Sequence, residues 1–418
     1  MELARALRHR NYRLFFVGQG TSLVGTWITR VATSWLVYRL TGSALLLGVV
    51  GFAGQIPTFL LAPFAGVLVD RWSRHRVLVV AQVLSMIQSA LLAGFALAKT
   101  ITVWHVAVLV AFQGLVNAFD TPARQAFVVE MVENRGDLPN AIALNSSMVN
   151  AARLVGPAIA GVLIAAFGEG WCFAIDAVSY VAVIASLLMM RVAPKPRRPR
   201  AHVLRELADG MRYAAAHVDI RAALLLLAFV SLVGMPYTVL LPIFASHVMH
   251  GGPHTLGALT GASGLGAIAG ALWLASRKDV VGIARVMMLG GASFGLGLVA
   301  FGVSHWLWLS IPLLVIVGGG MMITMAASNT LIQTRVDEDK RGRVMSFYTM
   351  AFFGMTPFGS LAGGVLADRF GAQATVVVGG LATLVAVSFF AFARGTSDAS
   401  DDLTRDDPSS TNEHDSTN

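Results

Sequence analysis

Apolar stretches recur along almost the whole chain, and each is long enough to cross a lipid bilayer. They lie at roughly 14–38, 44–69, 77–98, 102–120, 140–167, 171–190, 222–248, 255–276, 283–303, 306–330, 343–367 and 373–393. A helix rising 1.5 Å per residue needs about 20 such residues to span ~30 Å of hydrocarbon. Only 13% of the 418 residues are charged, against about 25% in soluble domains. That is too little charge to cover a water-facing surface. The sequence therefore predicts an all-α membrane protein of twelve transmembrane helices. The first stretch follows Arg5, Arg8, Arg10 and Arg13 and has the length of a full span. It reads as an uncleaved first helix rather than a signal peptide, whose apolar core is shorter.

The net charge of +8 does not point to nucleic acid, because the basic residues sit in short runs between spans. With the N-terminus inside, 26 of the 31 Lys and Arg fall on the cytoplasmic side and only Arg39, Lys99 and Arg369 outside. The positive-inside rule then places both termini in the cytoplasm. A basic, proline-rich run, RVAPKPRRPR from Arg191, divides the chain near its middle. Leu204, Leu207, Met211 and Ala215 follow at helical spacing and predict a short amphipathic helix on the cytoplasmic face. The predicted organisation is a six-helix bundle at 1–192, a linker at 193–221, a second six-helix bundle at 222–394 and an unstructured acidic tail at 395–418.

The two halves repeat each other. SLVG at Ser22–Gly25 recurs at Ser231–Gly234. Gly66 matches Gly270, Gly114 matches Gly318, and GPAIAGVLIAAFG from Gly156 matches GSLAGGVLADRFG from Gly359, at offsets of 203 or 204 residues. Two halves in the same orientation form a parallel repeat, with the substrate site expected near the midplane between them.

Three segments carry motif chemistry. After the second span runs GVLVDRWSRHRVL, with Gly66, Leu68, Asp70, Arg71, Arg74 and Leu78 in register with a loop motif of the major facilitator superfamily; Ser73 and His75 depart from it. A glycine at Gly66 permits close helix approach, and the Asp70 carboxylate suits the positive N-terminal end of a neighbouring helix. The fifth span carries ARLVGPAIAG, in which Gly156, Pro157 and Gly161 match the exporter-associated motif while Ala152 and Ala160 replace glycines. Small residues there also serve plain helix packing. In the fourth span, Val110 stands where drug–proton antiporters place an Arg.

On these residues the chain resembles a major facilitator superfamily transporter over residues 10–394. Within it, NAFDTPARQAF, LPNAIALNSSMVNAARLVGPAIAG and GTWITRVATSWLVYRLTGSALLLG look like the branch of enterobactin-type siderophore exporters and macrolide-type efflux pumps. The resemblance implies two six-helix bundles related by a pseudo-two-fold axis in a bacterial inner membrane. It also implies a monomer working by alternating access and coupled to protons, with drug or siderophore cargo. It implies that Asp70 latches the cytoplasmic side shut against the start of the eleventh span, near Arg341 and Arg343. The equivalent loop of the second half has Leu274 where the Asp belongs, so the latch is one-sided. GVLADRFG at Gly364–Gly371 has similar letters but falls at the outer end of the eleventh span, where Asp368 and Arg369 read as a helix-end pair.

Arg30, Arg153 and Asp176 are the ionisable residues deepest in the spans. A charge at the bilayer centre costs at least ~2.5–3.5 kcal/mol, so each needs a partner or a wet cavity. Arg30 and Asp176 have similar depths, which predicts a salt bridge or an Arg30 facing the cavity. Arg153 is expected to face the cavity, to hold an anionic substrate or to couple to proton movement. Gln19, Gln113, Asn117, Asn145 and Asn150 are the neutral polar candidates for its lining. One cysteine, Cys172, excludes an intramolecular disulfide. His247, His250 and His254 cluster near a glycine-rich outer loop, but no metal site is predicted, nor any cofactor. No P-loop is present to use ATP, and no catalytic constellation points to an enzyme. An exporter is the leading expectation. A nutrient importer of the same fold and a transport-inactive scaffold or sensor remain the alternatives.

Overall fold

Backbone polar groups have no water to bond in hydrocarbon, so a spanning chain must satisfy them within helices. The computed structural model describes residues 2–132, 134–192, 211–277, 282–338 and 340–405, and every regular element among them is helical. A short 3-10 helix, Glu2–Arg8, leads into α1 (Arg10–Thr41). The rest of the first half is α2 (Ala44–Arg71), α3 (Arg74–Leu97), α4 (Val103–Met131), α5 (Leu138–Phe167) and α6 (Glu169–Leu188). The second half is α7 (Val218–Val248), α8 (Pro253–Ala275), α9 (Ile283–Val303), α10 (Leu307–Arg335), α11 (Arg341–Phe370) and α12 (Ala372–Arg405). Eleven of these are long and apolar enough to cross a membrane. The twelfth, α1, has 32 residues and the length to do so, but it carries Arg13, Arg30 and Arg39.

An even number of spans returns the C-terminal helix to the face on which α1 begins. That face is called here the terminal face, and the opposite one the far face. The predicted linker helix lies largely outside the described residues, although 211–216 are helical. The helical stretch of α12 runs on to Arg405, past Gly395 where an unstructured tail was expected. Extending a nucleated helix fixes one residue per added bond, so the span's last turns propagate beyond its apolar part.

The internal repeat appears in the backbone. The matched segments from Gly156 and Gly359 end at Gly168 and Gly371, whose φ values are +83° and +87°. Both close α5 and α11 with tight turns that glycine alone enters without strain.

The halves differ in continuity. α1 runs unbroken through SLVG, whereas α7 stops at Val233 and resumes at Tyr237, with a wider π-turn over Phe244–Val248. Pro236 explains the break, since it has no N–H to offer the Leu232 carbonyl one turn back. That carbonyl instead lies against Gly359 of α11. α11 breaks in turn after Phe353 and restarts at Thr356, with Pro357 in its first turn. Arg30, Arg153 and Asp176, the charges deepest in the spans, all belong to the first half. The two interrupted helices both lie in the second half and put their breaks at mid-membrane, where transporters build their sites.

The halves meet along two seams related by the repeat. In one, α5 crosses α8; in the other, α2 crosses α11. Both rely on glycine. A Cβ on Gly257 would lie 2.6 Å from the Pro157 carbonyl oxygen, and one on Gly48 would lie 2.6 Å from the Ser360 carbonyl oxygen and 2.8 Å from the Gly364 Cα. Near the far face the seams are fastened by Ser43, which donates to Asp368 at 3.4 Å, and by Tyr38 and His247 at 3.3 Å. Asp368 and Arg369 lie in the last turn of α11, at the helix end where they were expected, and Asp368 also bonds across the halves to Ser43, which caps α2 opposite it. Further in, Phe59 and Phe52 pack edge-on to Phe358.

A bulky side chain at Gly257 should wedge the far face open. In a C172A background, cysteines placed at Ser43 and Asp368 should cross-link readily. Adding G257L should reduce that cross-linking severalfold on non-reducing gels.

Candidate functional site

Between the seams lies a cavity of about 430 Å³, walled by all six helices of the first half, α1 to α6, and by α7, α8 and α11 of the second. Its apolar wall includes Val50, Leu256, Phe352 and Phe353, and Gln55, Gln113, Asn117 and Thr260 add polar groups. The broken helices supply Met235, Thr238 and Thr356 beside their gaps.

The charged part of the site is assembled on Trp27. Gly156 of α5 has no side chain where α1 crosses it; any Cβ there would overlap the Trp27 Cβ. The indole therefore sits tight against α5. The Arg30 guanidinium lies 4.7 Å from its ring centroid and that of Arg153 lies 5.8 Å from it. The two cations are thus no more than about 10.5 Å apart. At an effective dielectric of 20 they repel by roughly 1.6 kcal/mol or more. A cation over an indole gains about 0.5–2 kcal/mol. Neither guanidinium has a carboxylate within ion-pair distance among the described residues. Arg30 is enclosed by helices, yet its side chain is exposed, because it opens into the cavity.

The expected Arg30–Asp176 salt bridge is not formed. Similar depth along two helices does not make two side chains face each other. Arg30 turns along α1 toward Trp27, whereas Asp176 lies behind α1, against Gly25. Asp176 is 1% exposed. Its Oδ2 accepts from Ser89 Oγ at 2.8 Å, and its Oδ1 has no hydrogen-bond partner.

Pro157 acts one turn beyond Arg153. It has no N–H to give the Arg153 carbonyl, and that oxygen would meet a Cβ on Gly264 of α8 at 3.1 Å. Gly161 packs against Pro253 and Gly257 of the same helix. The segment Gly156–Gly161 thus serves two contacts at once, with Trp27 in its own half and with α8 in the other.

The remaining predicted residues divide as follows. Gln113 and Asn117 line the cavity, and the Gln113 amide donates to Ser85 at 3.0 Å and to Asn117 at 3.1 Å. Gln19 is buried on α1, away from the cavity lining. Asn145 and Asn150 also lie outside the lining, one to two turns toward the terminal face, and the Asn150 amide turns back to the Ser146 carbonyl. Gly66, Asp70 and Arg71 fall in the last turns of α2, but their side chains lie outside the described ones. Arg74 binds Glu130 at 2.7 Å across α3 and α4. His247 is engaged with Tyr38, and Arg39 makes a two-pronged bond to Glu169 at 2.7 and 3.2 Å.

Trp27, Gln55 and Tyr237 were missed as cavity residues. The signal for Trp27 was its i, i+3 spacing to Arg30, which puts ring and cation on one helix face. Also missed was Asp120, 5% exposed on α4. It accepts from Gln82 at 2.8 Å and pairs with Arg124 at 2.8 Å.

A family model described as transmembrane secretion effector matches residues 3–414. The chain belongs to that family, within the major facilitator superfamily. Its relatives include the staphyloferrin A transporter of Staphylococcus aureus, 26% identical over 386 residues, covering 91% of this chain and 95% of that protein. Macrolide efflux protein A of Streptococcus pyogenes is 24% identical, covering 87% and 92%. The multidrug efflux pump Tap of Mycolicibacterium fortuitum is 29% identical, covering 85% and 88%. Among solved structures, the POT family transporter PepTSo superposes with a TM-score of 0.74 at 13% identity, covering 93% and 98%. A bacterial homologue of ferroportin in an inward-facing state gives 0.69 at 17%, covering 92% and 98%. These establish the major facilitator fold. This family member is a multi-pass transporter of small molecules in the bacterial plasma membrane.

Replacing Asp120 with Ala should strand Arg124 and Gln82 between α3 and α4. Removing one partner of a buried pair costs about 3–5 kcal/mol, less where, as here, the cation is partly exposed, so a loss on the order of 2 kcal/mol is expected. Thermal unfolding in detergent should show a clearly lowered midpoint for D120A and a smaller drop for D120N.

Proposed function

We propose that this protein exports small amphipathic molecules of the drug or siderophore type by alternating access, driven by the proton gradient, with both termini in the cytoplasm. The observation that carries this reading is the cavity at mid-membrane, walled by both halves and sealed toward the far face by two glycine seams. A cavity held between two halves is what alternating access requires; rocking the halves about it would expose it to each face in turn. The strong bias of Lys and Arg toward the terminal face supports a cytoplasmic location for that face, and hence an inward-facing form. Efflux is favoured by the names of the relatives, two of which are efflux proteins, and by the exporter-like segment at Gly156, Pro157 and Gly161.

In the outward-facing form, Asp70 would meet the start of α11 near Arg341 and Arg343 and hold the terminal face shut. Arg71, Arg74 and Gly66 would shape that turn. Asp176 is the coupling candidate. It is a buried carboxylate on the cavity wall with an unpartnered oxygen, a group able to take a proton on one side and release it on the other. The site is walled by one chain alone, which is compatible with a monomer.

Deleting the gene should raise sensitivity to part of a panel of drugs and siderophores at least fourfold. An uncoupler should erase the difference between deletion and parent. No change across the whole panel would refute efflux. In proteoliposomes, D176N should retain exchange of labelled cargo across the membrane while losing accumulation driven by a pH gradient. Full gradient-driven accumulation by D176N would remove Asp176 from the coupling step.

A further inference from the structure

We infer that the cavity recognises its cargo through an anionic group of the carboxylate class, held between Arg30 and Arg153 over the Trp27 ring. This rests on the transport reading above and names the chemistry of the cargo. Three observations carry it.

The first is the charge count of the wall. Arg30, Arg153 and Asp176 are its ionisable groups other than Tyr180 and Tyr237. Asp176 is not within ion-pair distance of either arginine and is already bonded to Ser89. Two cations therefore face the cavity against one carboxylate, and among the described residues neither is paired with it. The second is their shared seat. Both guanidiniums draw on one indole, so each gains from Trp27 while repelling the other. An anion placed between them removes the repulsion and satisfies both, whereas a cationic cargo would add a third positive charge. Guanidinium also matches carboxylate in geometry, two N–H donors to two oxygens. The third is the surrounding wall. Beside the cations stand Gln55, Gln113 and Asn117, which suit further oxygens, and Phe352 and Phe353, which suit an apolar body. A volume of about 430 Å³ accommodates a small molecule.

Each cation is placed by packing rather than by an ion pair. Trp27 is fixed by Gly156, and Arg153 sits one turn before Pro157 on the helix that meets α8. The site is thus shaped before any ligand enters it.

The test uses the full chain purified into nanodiscs of zwitterionic lipid. Three probes are titrated by calorimetry: benzene-1,3,5-tricarboxylate, its trimethyl ester and the cation ethidium. The expected result is saturable binding of the tricarboxylate, at least tenfold weaker in R30Q and in R153Q. R30K and R153K should recover much of the loss, since they keep the charge. Size-exclusion profiles identify any variant that fails to fold, and the Lys variants then carry the comparison. Binding of the tricarboxylate that is equal in wild type, R30Q and R153Q overturns the inference. So does binding of ethidium with no binding of the tricarboxylate. If R30Q and R153Q bind the tricarboxylate as the wild type does and still export ethidium from vesicles, the anion site falls while the transport reading stands. If the wild-type chain moves no probe at all across vesicles, the transport reading falls and this inference with it.

Discussion

Inside hydrocarbon no hydrophobic force draws one apolar helix to another, because lipid tails are as apolar as leucine. Helices hold together there by close packing and by hydrogen bonds. The two halves of this chain obey that constraint by bringing backbone to backbone. Gly161 and Gly257 on one seam, and Gly48 and Gly364 on the other, remove side chains where the helices cross. The polar fasteners at the far face, Ser43 to Asp368 and Tyr38 to His247, are few and exposed. Everything between them follows from this arrangement. The cavity lies between the two seams, where the helices of the two halves meet less closely than they do along the seams.

The same constraint explains why proline is tolerated at depth. Each proline leaves a carbonyl without its partner, which is expensive in lipid. At Pro236 and Pro157 the freed carbonyls are covered by neighbouring helices. Leu232 directs its oxygen to Gly359, and Arg153 directs its oxygen to Gly264. A residue lacking a side chain lies opposite each freed oxygen, so backbone approaches backbone and lipid is kept away. The interruptions of α7 and α11 also give the second half a role in the site that its sparse charges had hidden.

Much of the architecture was legible in the sequence, because span length and the constant offset of the repeat are one-dimensional signals. Glycine at Gly156 and Gly161 was legible as close approach, although the partners were not. What failed was azimuth. Depth along a helix follows from counting residues, but the direction a side chain takes around the axis depends on the neighbouring helix. Arg30 and Asp176 share a depth and yet face different neighbours. Gln19, Asn145 and Asn150 are polar and within spans, but they do not reach the cavity lining. Trp27 was passed over because an aromatic residue in a span is ordinary; its meaning comes from Gly156, more than a hundred positions away in sequence. The break in α7 was open to prediction, since Pro236 follows the repeated SLVG, whereas Val24 and Gly25 of the first copy lead into Thr26 and Trp27.

Trp27, Arg30, Arg153 and Gly156 all belong to α1 and α5, which pack directly on each other. The charged seat is therefore a fitting of one half alone, while the other half contributes walls. If the halves swing about the seams, the seat is not dismantled and rebuilt on each stroke. A bound molecule would ride as a passenger on the first half, and only its view would change, from one compartment to the other.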